Sequence, residues 1–257
     1  MSDKVVFFDI DGTLLTEEKE LPSSAKEAIF SLQQKGVHVA IATGRAPFMF
    51  KELAEELNIR SFVSFNGSYV VFEGEVVATS PLTQEQLTRL DAFAKENNHP
   101  MVFLNHETAK SNELDHPHID ESIASLKLPY PEYEPEFYKD RDIYQALLFC
   151  QDGEEKRYEE NHQHFDYVRW HRYSIDVIPQ GGSKAVGIGR LLEHLKVGPE
   201  QAFAFGDALN DLEMLQFVGT GIAMGNGLEQ VKARANLVTK RVEEDGIYHG
   251  LKLVGLL

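Results

Sequence analysis

Near its start the chain carries Val5-Val6-Phe7-Phe8-Asp9-Ile10-Asp11-Gly12-Thr13-Leu14-Leu15, a short apolar run that ends in two carboxylates, a glycine and a hydroxyl. An unbroken apolar run opened by β-branched Val5 and Val6 fits a strand buried on both faces, as in a parallel sheet. Open α/β sheets hold their ligand crevice outside the carboxyl ends of the strands, so Asp9 and Asp11 emerge where a site is built. Gly12 tolerates φ > 0 where other residues are strained, and an Asp-rich turn closed by glycine is the plainer account of the same residues.

The segment that follows alternates helix and strand. Ser24-Ala25-Lys26-Glu27 reads as a capping box, with Ala25, Ala28, Ile29 and Leu32 on one apolar face and Gly36 as the stop. Val37 to Ala42 predicts a second buried strand, ending in Thr43-Gly44-Arg45, before a helical pattern built on Phe50, Leu53, Ala54 and Leu57. A strand-helix-strand unit of this length requires a crossover and makes the strands parallel, which sets Thr43 beside Asp9. Ser61 to Phe65 predicts a third strand ending in Asn66-Gly67, and Tyr69 to Phe72 with Glu75 to Ala78 predict a hairpin closed at Glu73-Gly74.

At 257 residues the chain exceeds the usual size of a single core, and its character changes around Ser80-Pro81. From there to about Gln180 it predicts a helix over Leu87 to Ala94, strands at Met101 to Leu104 and Ile143 to Cys150, a short charged helix, and strands at Phe165 to Trp170 and Ser174 to Ile178. The stretch holding Pro129, Pro131 and Pro135 reads as irregular surface structure. Residues 82–179 are therefore expected to form an α+β domain inserted into a core made of 1–81 and 180–257. The core resumes with a helix from Ser183 to Leu195 and a buried strand, Ala202-Phe203-Ala204-Phe205, that ends in Gly206-Asp207-Ala208-Leu209-Asn210-Asp211. Gly221 to Met224 and Leu237 to Thr239 read as further strands, separated by a helical run, and Asp245 to Leu253 as a closing helix.

Charge narrows the function. With 25 Lys+Arg against 41 Asp+Glu the formal charge is −16, which repels nucleic-acid backbones and anionic membrane surfaces, so neither is an expected partner. An anionic small molecule needs a local cation to bind. Cys150 is the only cysteine, no apolar run approaches the roughly 18 residues that cross a bilayer, and no secretory signal is read at the start; a cytoplasmic protein is expected.

Asp9, Asp11, Asp207 and Asp211 stand at two distant strand ends, and carboxylates brought together repel unless something positive sits among them. Oxygen-only ligands favour a hard ion, and few of them favour Mg²⁺ completing its shell from water and a substrate phosphate. Thr43 and Lys184, each at an element end, offer a hydroxyl and an ammonium that could hold a transferring phosphoryl group. Two acidic turns that never meet, a helix cap and a surface charge are the corresponding plain readings.

Asp9-Ile10-Asp11-Gly12-Thr13, Thr43-Gly44-Arg45, Lys184 and Gly206-Asp207 with Asn210-Asp211 resemble, in order and spacing, the four motifs of the haloacid dehalogenase superfamily. The position of the insert, Asn66-Gly67, and Ala223-Met224-Gly225-Asn226 followed by Asp245-Gly246 are similar to its Cof-type phosphatases with a type IIB cap. Gly182-Ser183 departs from the usual lead-in to the lysine. The resemblance implies a Rossmann-like doubly wound parallel sheet with an α+β cap, and Mg²⁺-dependent hydrolysis of small-molecule phosphate monoesters through an aspartyl-phosphate. It implies Asp9 as nucleophile and Asp11 as general acid and base. Thr43, Gly44, Lys184 and Asn210 would contact the phosphoryl oxygens, and Asp9, the Asp11 carbonyl, Asp207 and Asp211 would hold the metal, Asp211 directly or through water. Arg45 is the weaker candidate, a structural ion pair. A phosphosugar mutase and a non-catalytic phosphometabolite-binding module are the alternatives.

The inserted domain says less. Asp115-His116-Pro117-His118-Ile119-Asp120 lacks zinc spacing, and solvated loop residues account better for the many histidines. Trp170, His171 and Arg172 are, by position alone, the first candidates for substrate contact.

Overall fold

The computed structural model describes residues 3–257. It divides into two compact units, one formed by residues up to Arg45 with Phe50–Thr79 and Ser183–Leu257, the other by Ser80–Gly182 with Ala46–Met49.

The first unit holds β1 (Val5–Phe8), α1 (Ser23–Gln34), β2 (His38–Ala42), α2 (Lys51–Glu56), β3 (Phe62–Ser64), β4 (Tyr69–Phe72) and β5 (Glu75–Thr79). The second holds α3 (Gln84–Glu96), β6 (Met101–Leu104), β7 (Ala109–Ser111), α4 (Pro117–Ser125), β8 (Glu132–Tyr133), β9 (Gln145–Phe149), α5 (Lys156–Asn161), β10 (Phe165–His171) and β11 (Ser174–Pro179). The chain then completes the first unit with α6 (Lys184–Leu195), β12 (Ala202–Gly206), α7 (Leu212–Phe217), β13 (Thr220–Ala223), α8 (Glu229–Lys232), β14 (Leu237–Val238) and α9 (Gly246–Leu253).

In the first unit the strands form one sheet in the order β14-β13-β12-β1-β2-β3-β4-β5, parallel from β14 to β3 and antiparallel in the β3-β4-β5 edge. β1 explains the unbroken apolar run. Val6 and Phe8 pack with Ile29 and Leu32 of α1 and with Ile247 and Leu251 of α9, whereas Val5 and Phe7 pack on the opposite face with Ile188 and Leu191 of α6 and Met214 of α7. Both faces of the strand are buried, so alternation has no polar side to show. From β1 the chain winds outward through β2 and β3 in one direction, and from β12 through β13 and β14 in the other. The topological switch therefore lies between β1 and β12, where the ladder continues past Phe8 with Asp9 N donating to Phe205 O at 3.0 Å.

The capping box expected at Ser24 is not formed. α1 starts two residues earlier than that box requires, at Ser23, with Pro22 as N-cap and no side-chain cap, and the Ser24 hydroxyl is buried without a partner among the described residues. Pro22, at φ −60°, already sets the chain for helix entry.

The second unit is an α+β layer whose sheet runs β10-β11-β9-β6-β7-β8, antiparallel except for β7 with β8. Leu87, Leu90 and Ala94 of α3, Tyr158 of α5, and Phe103, Ala146, Leu148, Ile175 and Val177 of the sheet form its core. The stretch between β6 and β9 is more ordered than its proline content predicts, for it contains β7, α4 and β8. Pro117 sits in the first turn of α4, where its missing N–H costs nothing, and Ile119, Ser122 and Ile123 form the buried face. His116 caps that helix through Nδ1 and His118 stacks on Tyr173 at 4.0 Å, while His99 bonds Tyr158 at 2.7 Å. These histidines serve local structure instead of standing solvated in loops. No helix among the described residues is long and apolar enough to cross a membrane.

Candidate active site

Asp9 leaves β1 at the switch point and is 6% exposed. Lys184, the first residue of α6, extends its ammonium to Asp9 Oδ1 at 2.5 Å and to Asp211 Oδ1 at 2.7 Å. Ser183 sets the start of that helix, its hydroxyl accepting from Val186 N at 3.4 Å. Asp211 uses its second oxygen locally, Oδ2 accepting from Asp207 N at 2.9 Å and Ala208 N at 3.0 Å, so it folds the loop after β12 into shape. Both Asp211 oxygens are thus occupied by protein donors. Asp207 contrasts with it, since its Oδ1 is buried and has no hydrogen-bond partner among the described residues.

Ligand oxygens of Asp9, Asp207 and Asp211 lie within 4.8 Å of one another. Gly12, at φ 73°, makes room for this group, because a Cβ there would stand 2.3 Å from Asp207 Oδ2. Asn226 fixes the same turn, its amide donating to Gly12 O at 2.7 Å while its Oδ1 accepts from Val242 N at 2.9 Å.

Asp11 takes another direction. Arg45 grips it with two bonds, Nε to Oδ2 at 2.8 Å and Nη2 to Oδ1 at 2.6 Å, and Lys19 adds a third to Oδ1 at 2.6 Å. Two carboxylates separated by one residue therefore occupy different environments, and the Asp11 side chain is not among the three gathered carboxylates.

Electrostatics follow this division. Burial, reinforced by Asp211, pushes the Asp9 carboxyl well above the usual carboxylate range against the pull of Lys184. Asp207 is pushed up to about 7, chiefly by burial and next by Asp211. Burial would lower the Lys184 ammonium, yet Asp211 and Asp9 outweigh it and hold the group protonated. For Asp11 burial is again the largest influence and upward, but the hydrogen bonds and charges of Arg45 and Lys19 overcome it and the carboxyl lies below its ordinary value.

The remaining sequence candidates come to the same end of the sheet. Thr43, buried just past β2, accepts from Arg45 N through Oγ1 at 3.1 Å and donates its own N–H to Val63 O at 2.8 Å. A Cβ on Gly44 would lie 3.0 Å from Asn66 Nδ2, and Asn210 Nδ2 reaches Asn66 Oδ1 at 3.4 Å. Arg45 belongs to the site as a partner of Asp11. Lys19 was missed, hidden in the acidic run Glu17-Glu18-Lys19-Glu20, where a lone lysine reads as surface. Thr13, whose buried hydroxyl has no partner among the described residues, carried no signal beyond its place after Gly12.

In the other unit, His171 Nδ1 bonds Ser122 Oγ at 2.9 Å, and Arg172 holds Glu121 with two bonds of 2.7 Å, so these two candidates are engaged by α4. Trp170 lies at the bulge of β10, its Nε1 buried without a partner among the described residues.

Residues 6–251 match the family model described as haloacid dehalogenase-like hydrolase. The chain is 49% identical over its full length to the full length of a Bacillus subtilis (strain 168) protein named "Putative phosphatase YkrA". Among solved structures, a hypothetical protein from Geobacillus kaustophilus HTA426 superposes with a TM-score of 0.94 at 54% identity, covering 99% of both chains. The subclass IIB sugar phosphatase BT4131 superposes with a TM-score of 0.87 at 30% identity, covering 99% of this chain and 100% of that one. With the switch-point aspartates, the lysine and the inserted α+β unit in place, the chain belongs to the haloacid dehalogenase-like hydrolases, as a phosphatase of the Cof type.

Proposed function

We propose that this phosphatase hydrolyses phosphate monoesters of small molecules through a phosphorylated Asp9, with Mg²⁺ bound at Asp9 and Asp207. The observation that carries the reading is the separation of Asp9 and Asp11 into two environments, one carboxylate among Lys184, Asp207 and Asp211 and the other in the grip of Arg45 and Lys19. Groups so placed suit different chemical tasks.

The donor set fits a hard divalent cation. Among the described residues Asp207 Oδ1 is a buried oxygen without a donor, and Lys184 is the one cation bonded within a group of three carboxylates, too little charge to balance them. Asp9, Asp207 and the Asp11 carbonyl would hold the ion, with Asp211, whose oxygens are taken by Lys184 and the loop N–H groups, orienting the site or acting through water. Bound there, Mg²⁺ would offset phosphoryl charge and draw the Asp9 and Asp207 carboxyls down to the ionised form.

In the first step an Asp9 carboxylate oxygen attacks phosphorus in line, the bond from phosphorus to the ester oxygen breaks, and Asp11 gives a proton to that departing oxygen. Asp11 is ionised while Arg45 and Lys19 hold it. The substrate's phosphate dianion, brought beside it, favours the neutral form, which supplies the proton while Arg45 keeps the carboxyl in place. In the second step water attacks phosphorus, Asp11 takes a proton from it, and Asp9 is released with inorganic phosphate. Lys184, the Thr43 hydroxyl, the Gly44 N–H and the Asn210 amide would hold the phosphoryl oxygens.

A sugar phosphatase among the similar structures puts sugar phosphates first among substrates to test. The direct experiment is Mg²⁺-dependent phosphate release from p-nitrophenyl phosphate and a panel of sugar phosphates, nucleotides and cofactor phosphates. Release that disappears in Asp9→Asn supports the reading, whereas full activity in that variant sinks it. Isomerised phosphosugar without free phosphate identifies a mutase instead.

A further inference from the structure

Directly after β3 the backbone turns through three successive residues in the left-handed region, Phe65 (φ 50°), Asn66 (φ 50°) and Gly67 (φ 100°). Glycine adopts this freely and asparagine tolerates it, but for an aromatic side chain it is an outlier that persists only when the surroundings impose it.

The surroundings are the three segments that carry the phosphate-contact candidates. Phe65 N donates to Arg45 O at 3.3 Å and Asn66 N to Thr43 O at 3.1 Å, so the turn clasps both ends of Thr43-Gly44-Arg45. The Asn66 side chain, 3% exposed, lies against Gly44 and accepts from Asn210 Nδ2 at 3.4 Å. Gly67 packs on the cap of the Lys184 helix so closely that a Cβ would stand 2.1 Å from Ser183 O. One strained turn thereby meets the segments bearing Gly44, Lys184 and Asn210.

We propose that Asn66 is a positioning residue for phosphate binding: its amide fixes the Asn210 side chain relative to Gly44, and the left-handed turn holds it there. This rests on the assignment of Gly44 and Asn210 as phosphate contacts. Asn66 acts through them. A purely conformational role makes a different forecast, because glycine satisfies the same φ with no side chain.

Asn66→Gly separates the two. Binding of inorganic phosphate, measured by calorimetry in the presence of Mg²⁺, and kcat/KM on p-nitrophenyl phosphate are followed together with the melting temperature. The expected result is an unchanged or raised melting temperature with phosphate binding and kcat/KM each reduced on the order of tenfold. The loss should not add to that of Asn210→Ala, since the double variant removes one coupled unit. Parental phosphate binding in Asn66→Gly, or losses that add fully with Asn210→Ala, overturns the proposal. Asn66→Asp keeps the shape and the tolerance of φ > 0 while placing an anion beside Asn210, so it should melt with the parent and bind phosphate more weakly; parental binding there overturns the proposal as well. A parent that binds phosphate but hydrolyses no ester removes the proposed reaction and leaves this binding test standing.

Discussion

Lys184 Nζ lies 2.5 Å from Asp9 Oδ1, a contact between residues 175 positions apart in sequence. Its ammonium also meets Asp211, and all three side chains are buried. Taking Lys184 away leaves two buried carboxylates facing a third, Asp207. Breaking a buried pair by removing one partner costs about 3–5 kcal/mol, part of which protonation of the carboxylates recovers. Lys184→Met is expected to unfold at markedly lower urea concentration than the parent, and adding Asp211→Asn should restore part of the stability without restoring phosphatase activity. Equal midpoints for Lys184→Met and the parent would contradict this account.

The Asp207 carboxyl, pushed up to about 7 from an ordinary value of 3.8, makes the metal-free protein sensitive to pH. Between those values the folded state binds a proton that the unfolded chain does not, so this group's contribution to stability is present at low pH and is lost as pH rises from about 4 to about 7. Melting temperatures recorded in EDTA should therefore carry a downward component across that window, and Asp207→Asn should remove it. Mg²⁺ is expected to raise the melting temperature chiefly above pH 7, where Asp207 is ionised, and to do so in the parent but far less in Asp207→Asn. A variant with the parent's pH profile and the parent's response to Mg²⁺ refutes the assignment.

The extent to which this site was legible in sequence follows from how each residue is held. Asp9 and Asp207 stand at the ends of apolar strands, and the switch point that brings those ends together is a general property of the sheet, so their meeting could be read before any coordinates. Arg45 and Lys19 could not be ranked this way. Their role depends on Asp11 turning away from Asp9, which is decided by the φ 73° turn at Gly12 and the amide of Asn226, a residue 214 positions distant. In the inserted unit, α4 was hidden because its start, His116-Pro117, lies among turn-forming residues, and its apolar face is limited to Ile119 and Ile123. β8 has two residues and no periodicity to detect.

The Arg45 and Lys19 contacts to Asp11 give a forecast about leaving groups. An alkyl ester needs its departing oxygen protonated, whereas p-nitrophenolate leaves readily without a proton, so misplacing Asp11, the proposed acid, penalises the first more than the second. Arg45→Lys loses the planar, two-bond grip and is expected to lower kcat on an alkyl phosphate by a clearly larger factor than on p-nitrophenyl phosphate. Lys19→Ala should show the same inequality in milder form. Because Lys19 is 26% and Asp11 41% exposed, its stability cost is expected below about 1 kcal/mol. Equal losses on both esters, measured as kcat, would assign these cations to structure alone.

Cys150 supplies a reporter for the inserted unit. It is packed among Leu87, Leu148 and Tyr158, and burial pushes its thiol up to about 11 despite the nearby Arg169 guanidinium. The reactive thiolate is then scarce at pH 8 and shielded from solvent, whereas in the unfolded chain the same group titrates near its ordinary value and is open to attack. Iodoacetamide at pH 8 should leave the native protein unlabelled over a period in which the urea-unfolded protein reacts fully at its single cysteine. Labelling followed as a function of urea then reads the opening of this unit, while p-nitrophenyl phosphate turnover reads the unit that holds Asp9. Rapid alkylation of the native protein would show that the core around Cys150 opens far more readily than its packing indicates.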